Sequence, residues 1–221
     1  MITRPSASAT TTEALEILRR GGVVAHATET CYGLACDLTN TNAVVKLFAI
    51  KKRPIGQPVS ALFMSMDDAK RYVEWNAEAD VLAAKYLPGP LTIILPLRPD
   101  APHHLYPMPT SFERSAISYE QKEKPLKAQS SRLIATLGLR ISNHPLAQEL
   151  VQRFGSPIST TSANIHGEPN LYDAHAIMER FASEEHQPDL IIDSGPLPKV
   201  PPSTVIDLTR NGKRLREGSL K

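Results

Sequence analysis

Four polar clusters, widely separated along the chain, each adjoin an apolar stretch of strand or helix length. They are Thr28-Glu29-Thr30-Cys31-Tyr32-Gly33, Lys51-Lys52-Arg53-Pro54, Ser159-Thr160-Thr161-Ser162-Ala163-Asn164 and Pro202-Ser203-Thr204-Val205-Ile206-Asp207. Apolar segments must be buried, so a chain that ends them in hydroxyls and cations predicts a fold whose buried strands deliver polar groups to one place. Fixed Lys and Arg beside hydroxyls and amides, with no arranged Cys/His/Asp nucleophile, suit phosphate and a small polar molecule. Such a site works by positioning and charge stabilisation rather than by covalent catalysis.

The segments between these clusters read as interleaved helices and strands. Thr10-Thr11-Thr12-Glu13 predicts a helix start, with Ala14, Leu15, Ile17 and Leu18 as its apolar face and Gly21-Gly22 as its stop. Val23 to Ala25 predicts a buried strand, and Asn42 to Ile50 a helix that delivers Lys51 and Arg53 before Pro54 ends it. Val59 to Met64, Leu91 to Leu97, Leu137 to Ile141, Leu190 to Asp193 and Thr204 to Leu208 read as strands. Residues 77 to 86, 145 to 154 and 173 to 181 read as helices, and Leu215-Arg216 closes a last short pairing. Helices and strands mix without strict alternation, so the expectation is a single α/β domain over residues 1–221, built on a twisted mixed sheet with flanking helices. Residues 1–12 are expected as a flexible start. From Arg98 to Arg132 prolines and mixed charge replace periodic apolar residues, which predicts a long mobile insertion or lid.

Composition removes several function classes. A length of 221 residues supports a proper core, and 41% hydrophobic with 22% charged residues is ordinary for a globular domain. A formal charge of +2 does not by itself argue for nucleic acid. Cys31 and Cys36 lie in one apolar stretch and predict reduced thiols rather than a disulfide framework. No apolar run approaches the roughly 20 residues needed to span a bilayer, and cytoplasm is the expected location. P-loop and Rossmann glycine patterns are absent, as is zinc-ligand spacing. His103-His104 reads as a solvated loop in preference to a metal site.

Each cluster also has a plainer explanation. Lys51, Lys52 and Arg53 complement a helix C-terminus, or they form a phosphate cradle to which Arg53 adds a planar fork. Ser159 to Asn164 contains an N-cap or Asx turn, which accounts for one or two of its hydroxyls but hardly all four. Thr28-Glu29-Thr30 and Ser203-Thr204 also suit strand ends. Arg140 is sharper, because a half-buried Arg at a strand end calls for a carboxylate partner.

Taken in order, the clusters resemble the YrdC family, the threonylcarbamoyl-AMP synthases. Ala27-Thr28-Glu29-Thr30-Cys31-Tyr32-Gly33-Leu34 is similar to that family's Pro-Thr-Glu-Thr-x-Tyr-Gly-Leu, and Lys51-Lys52-Arg53-Pro54 to its Lys-x-Arg-Pro. Ser162-Ala163-Asn164 with Gly167 and Pro169 is similar to its Ser-x-Asn loop, and Ser203-Thr204-Val205-Ile206-Asp207 to its Ser-Thr-Val-x-Asp strand. The resemblance runs from about Glu13 to Gly218, with Ala101 to Ile134 outside it.

That resemblance implies a concave, positively charged cavity and an ATP-using nucleotidyltransferase. L-threonine, bicarbonate and ATP would give threonylcarbamoyl-adenylate and pyrophosphate, with Mg2+ assisting. The product would pass to a threonylcarbamoyl-transferase complex that modifies adenosine in tRNA. It implies Thr30, Arg140, Thr160 and Ser203 around threonine, and Lys51 and Arg53 as catalytic groups on the ATP phosphates. Gln57, Thr136, Ser162, Asn164, Asn170 and Arg216 would surround the nucleotide. Gln57 departs from the family, which has Lys or Asn there, and His26-Ala27 replaces Tyr-Pro. A non-catalytic module binding double-stranded RNA or tRNA, and a paralogue making another carbamoyl-adenylate, stand as alternatives.

Overall fold

The computed structural model describes residues 1–54, 59–102, 105, 136–210 and 212–220. The α/β expectation holds, but the strands divide into two mixed sheets rather than one. Strands β1 (Ile2–Pro5), β2 (Val24–Ala27), β3 (Tyr32–Ala35), β8 (Thr161–Ser162) and β9 (Leu190–Asp193) form the first, in the order β1-β9-β2-β3-β8. The second contains β4 (Ser60–Leu62), β5 (Leu91–Pro96), β6 (Thr136–Arg140), β7 (Ile158–Ser159), β10 (Thr204–Asp207) and β11 (Lys213–Arg216), in the order β11-β10-β5-β6-β4-β7. Parallel and antiparallel pairs alternate along the second: β10 lies parallel to β5, β5 antiparallel to β6, and β6 parallel to β4.

Residues 1–12, expected as a flexible start, carry a strand and the first turns of a helix. Ile2–Pro5 pairs in parallel with β9, and helix α1 (Ser8–Arg19) begins before the Thr10 start signal. Thr10 Oγ1 donates to Pro5 O at 2.8 Å, which ties the helix to the strand ahead of it. Helix α1 buries Ala14, Leu15 and Leu18. These pack with Leu146, Ala147, Leu150 and Val151 of a helix over Pro145–Phe154, over Val24, Leu190 and Ile192 of the first sheet. A larger core joins the other faces of both sheets with the helix α2 (Thr41–Lys51). Helices α3 (Met66–Lys70) and α4 (Ala77–Tyr86) precede β5, Pro145–Phe154 is α5, and α6 (Ala174–Phe181) precedes β9.

Local chemistry explains why the polar clusters sit where they do. Thr28 to Cys31 is the turn of the β2–β3 hairpin, closed by Thr28 N donating to Cys31 O at 3.2 Å and Thr28 Oγ1 to the same oxygen at 2.7 Å. Asn40 caps α2 by accepting from the Asn42 and Ala43 amides. At the other end of α2, Lys52 takes a left-handed conformation (φ 47°, ψ 39°) and turns the chain out of the helix. Between β7 and β8 the chain passes from one sheet to the other through the single residue Thr160, whose amide donates to Ser60 O at 2.7 Å. Gln57, His103, His104 and nearly all of the expected 98–132 lid lie outside the described residues.

Candidate active site

Residues from both sheets line one cavity of about 160 Å3. Its lining includes Thr30, Arg53, Arg140, Thr160, Ser162, Asn170, Ser203 and Arg216, each singled out from the sequence. Cys31, Ser60, Thr92, Thr161, Pro202 and Val205 complete it. The hairpin turn after β2 delivers Thr30, the end of β6 delivers Arg140, and the crossing at Thr160 brings in the β8 hydroxyls. The residue before β10 supplies Ser203, and the end of β11 supplies Arg216. Three guanidiniums and no carboxylate line this space among the described residues.

Arg140 has the carboxylate partner that its position called for, and that partner comes from the chain itself. Its Nη2 donates to Glu29 Oε1 at 2.8 Å and to Thr30 Oγ1 at 2.8 Å. The Glu29 side chain is 13% exposed and that of Arg140 is 9% exposed, so this pair is largely desolvated. Ser142 Oγ donates to the second Glu29 oxygen. Burial pushes the Glu29 carboxyl up, but the Arg140 charge and the hydrogen bonds from Ser142 and Arg140 outweigh it and hold the group below its ordinary range.

Arg216, also in the lining, donates from Nε to Ser203 O and from Nη2 to Ser203 Oγ, both at 2.9 Å. Ser203 Oγ lies 3.0 Å from Thr92 Oγ1. Ser203, just ahead of β10, thus orients one guanidinium and is itself held by Thr92 of β5. Thr92 carries a legible signal, a lone hydroxyl in the apolar run Leu91 to Leu97.

Lys51 does not line the cavity. Its Nζ donates to Ser162 O at 2.6 Å, Asn164 O at 2.9 Å and Asn164 Oδ1 at 2.9 Å, so all three ammonium protons have oxygen acceptors. Burial, then the nearby Arg53 charge, lowers this ammonium to about 7. Asn164 also sits behind the lining, accepting from Ser162 Oγ at 2.6 Å and donating to Glu168 O. Lys51 and Asn164 therefore shape the loop that carries Ser162. Thr136 lines an adjoining cavity of about 290 Å3, which shares Ser60 and Val205 with the first.

Burial pushes the Cys31 thiol up against the pull of Arg140, a Thr30 hydrogen bond, Arg216 and Lys51, so it is not poised as a thiolate. No group of three or more His, Cys, Asp or Glu among the described residues is placed to hold a metal ion. No helix among them is long and apolar enough to cross a membrane.

A family model described as telomere recombination, covering Sua5, YciO and YrdC proteins, matches residues 16–218. The chain belongs to the Sua5/YciO/YrdC family. Among its curated relatives is a threonylcarbamoyl-AMP synthase of Vibrio cholerae (strain O395), 30% identical over 175 residues, or 78% of this chain and 80% of the relative. A protein of the same name from Coxiella burnetii is 31% identical over 175 residues, with the same 78% and 80% shares. The crystal structure of Pyrococcus abyssi Sua5 complexed with L-threonine is similar with a TM-score of 0.74 at 29% identity, over 99% of this chain and 57% of that one. Escherichia coli YciO gives a TM-score of 0.76 at 26% identity, over 100% of this chain and 95% of that chain. The family assignment agrees with the motif resemblance.

Proposed function

We propose that this Sua5/YciO/YrdC-family chain is a threonylcarbamoyl-AMP synthase that makes threonylcarbamoyl-adenylate from L-threonine, bicarbonate and ATP. The observation that carries the reading is the convergence of Arg53, Arg140 and Arg216 with the Thr30, Thr160, Ser162 and Ser203 hydroxyls in one cavity. Positive charge suits the triphosphate and the amino-acid carboxylate, while hydroxyls suit the amine and side chain of threonine. The Sua5 relative crystallised with L-threonine supports an amino-acid substrate.

In the proposed reaction, the free amine of threonine attacks the carbon of bicarbonate, an N–C bond forms and water leaves, giving a carbamate. A carbamate oxygen then attacks the α-phosphorus of ATP. An O–P bond forms, the bond to the bridging oxygen breaks, and pyrophosphate departs with that electron pair. Arg140 and Thr30 orient the threonine end, Arg53 and Arg216 offset the charge on the phosphates, and Ser162 and Asn170 bound the nucleotide. The nucleoside extends toward Thr136 in the adjoining cavity. Holding these reactants in line supplies the rate, and no protein nucleophile takes part. The lining has no carboxylate among the described residues, so it does not fit a resident divalent cation. Mg2+ would enter as part of the ATP substrate, and no step here runs through it.

In this reading the product serves tRNA modification through a separate threonylcarbamoyl-transferase in the cytoplasm. A cavity of about 160 Å3 lined by hydroxyls and arginines from both sheets favours a small substrate over a duplex backbone. Labelled bicarbonate tests the reading: label should enter an acid-labile adenylate when threonine and ATP are both present. Arg53→Ala and Arg140→Ala should each abolish incorporation, and full incorporation in either variant would remove that residue from the assignment.

A further inference from the structure

Lys52 is the residue other than glycine found at positive φ among those described, at φ 47°, a conformation that side-chain-bearing residues rarely adopt. It lies between Lys51, which points inward to the Ser162–Asn164 loop, and Arg53, which lines the cavity. Its Nζ reaches Glu184 Oε2 at 2.6 Å. Glu184 Oε1 accepts from Arg180 Nη1 at 2.7 Å. Arg180 also grips Glu168 with a two-pronged contact, Nε to Oε2 at 2.6 Å and Nη2 to Oε1 at 2.7 Å. Glu168 O in turn accepts from Asn164 Nδ2, and Asn164 accepts from Lys51. The links close a ring from Lys51 through Asn164, Glu168, Arg180 and Glu184 to Lys52.

We propose that Arg180, with Glu168, Glu184 and Lys52, is a positioning device that locks the Arg53 turn to the Ser162–Asn170 loop without touching the cavity. The device has two faces. Inside, Lys51 Nζ and the bond from His166 N to Lys51 O at 2.8 Å hold the loop against the end of α2. Outside, α6 bridges the same two segments through carboxylates on each side of one guanidinium. The planar fork of Arg180 is suited to this because it meets two carboxylates at fixed angles, which a lysine does not. The left-handed turn at Lys52 is what separates the directions of Lys51 and Arg53, and the ion pair to Glu184 holds it there. This inference rests on the reading that Arg53 meets the phosphates of ATP and Ser162 bounds the nucleotide.

The test uses the full chain with Arg180→Gln, Arg180→Lys and Lys52→Ala. Arg180→Gln should speed amide exchange at His166 and Arg53, whose N–H groups bond Lys51 O and Phe48 O, while the amides of β5 keep their wild-type rates. ATP affinity measured by calorimetry should fall about three- to tenfold at low salt, in line with the loss of partly exposed ion pairs, with a smaller loss at higher salt. L-threonine affinity and the urea midpoint should stay as in wild type. Arg180→Lys should recover part of the ATP affinity, and Lys52→Ala should move it in the same direction by less. Unchanged exchange at both amides overturns the lock. Faster exchange with unchanged ATP affinity overturns its role in positioning Arg53. If Arg53→Ala binds ATP as tightly as wild type, the phosphate reading fails instead, and the exchange rates alone decide whether the lock exists.

Discussion

Arg140 Nη2 lies 2.8 Å from Glu29 Oε1, so the cation proposed to meet a substrate carboxylate already carries one from its own chain. Glu29 neutralises a desolvated charge and holds the guanidinium in place through Nη2, while Arg140 still lines the cavity. Removing one partner of such a pair strands the other, which typically costs about 3–5 kcal/mol. Glu29→Gln is therefore expected to destabilise the fold by an amount near the lower end, since Arg140 still reaches the cavity. It should also weaken threonine binding. Urea unfolding beside threonine calorimetry checks both, and an unchanged urea midpoint would contradict the pairing.

The same pair sets an acid limit. The Glu29 carboxyl titrates below its usual 4.5, so its contribution is present above that value and is lost as pH falls through the lower folded value. Wild type should lose stability more steeply than Glu29→Gln below pH 4.5, a difference that unfolding curves across that range will show.

Lys51 gives a slope of the same sign in a higher pH window, although here burial penalises the charged form. Its folded value is about 7 against an ordinary 10.5, so between these the unfolded chain holds a proton that the folded chain has released. Stability should rise with pH across that window in wild type, and Lys51→Met should lack this slope. Bringing a triphosphate near Lys51 favours its charged form, so ATP binding at pH 8 should take up protons. Calorimetry in buffers of different ionisation enthalpy measures this, and equal uptake by Lys51→Met would contradict it.

Ser203→Ala removes the hydroxyl between Thr92 and Arg216. One hydrogen bond to a charged group is lost, worth about 1.5–3 kcal/mol where it stays buried. Because Arg216 stands at an exposed edge strand and keeps Ser203 O, the expected loss lies at the low end, about tenfold in kcat/KM. Steady-state kinetics should register it with little change in melting temperature.

Gly138 faces Ser60 across β4 and β6, and a Cβ there would stand 2.6 Å from Ser60 Oγ. Ser60 is shared by the two adjoining cavities. Gly138→Ala should therefore cost about 1–3 kcal/mol of stability through overpacking and should weaken nucleotide binding more than threonine binding. Paired urea and calorimetric titrations separate the two effects.

Much of this site was legible because its chemistry breaks the local pattern. Arg140 ends an apolar strand, Ser203 opens one, and Ser159 to Asn164 holds too many hydroxyls for ordinary packing. What was hidden depends on long-range geometry. Glu29 and Arg140 are 111 residues apart, and no periodicity announces their contact. The direction of Arg53 relative to Lys51 depends on the left-handed backbone of Lys52, a conformation for which lysine gives no signal. The division into two sheets depends on Thr160 as a one-residue crossing between short pairings. The N-terminal strand has just four residues, mostly exposed, and its place comes from pairing with β9 rather than from an apolar alternation.

Pyrophosphate release from ATP, Mg2+ and bicarbonate, measured with and without L-threonine, tests the central claim most directly. The account predicts release that requires both threonine and bicarbonate and that disappears in Arg53→Ala. Release that proceeds equally without threonine, or ATP binding with no release under any combination, would contradict it.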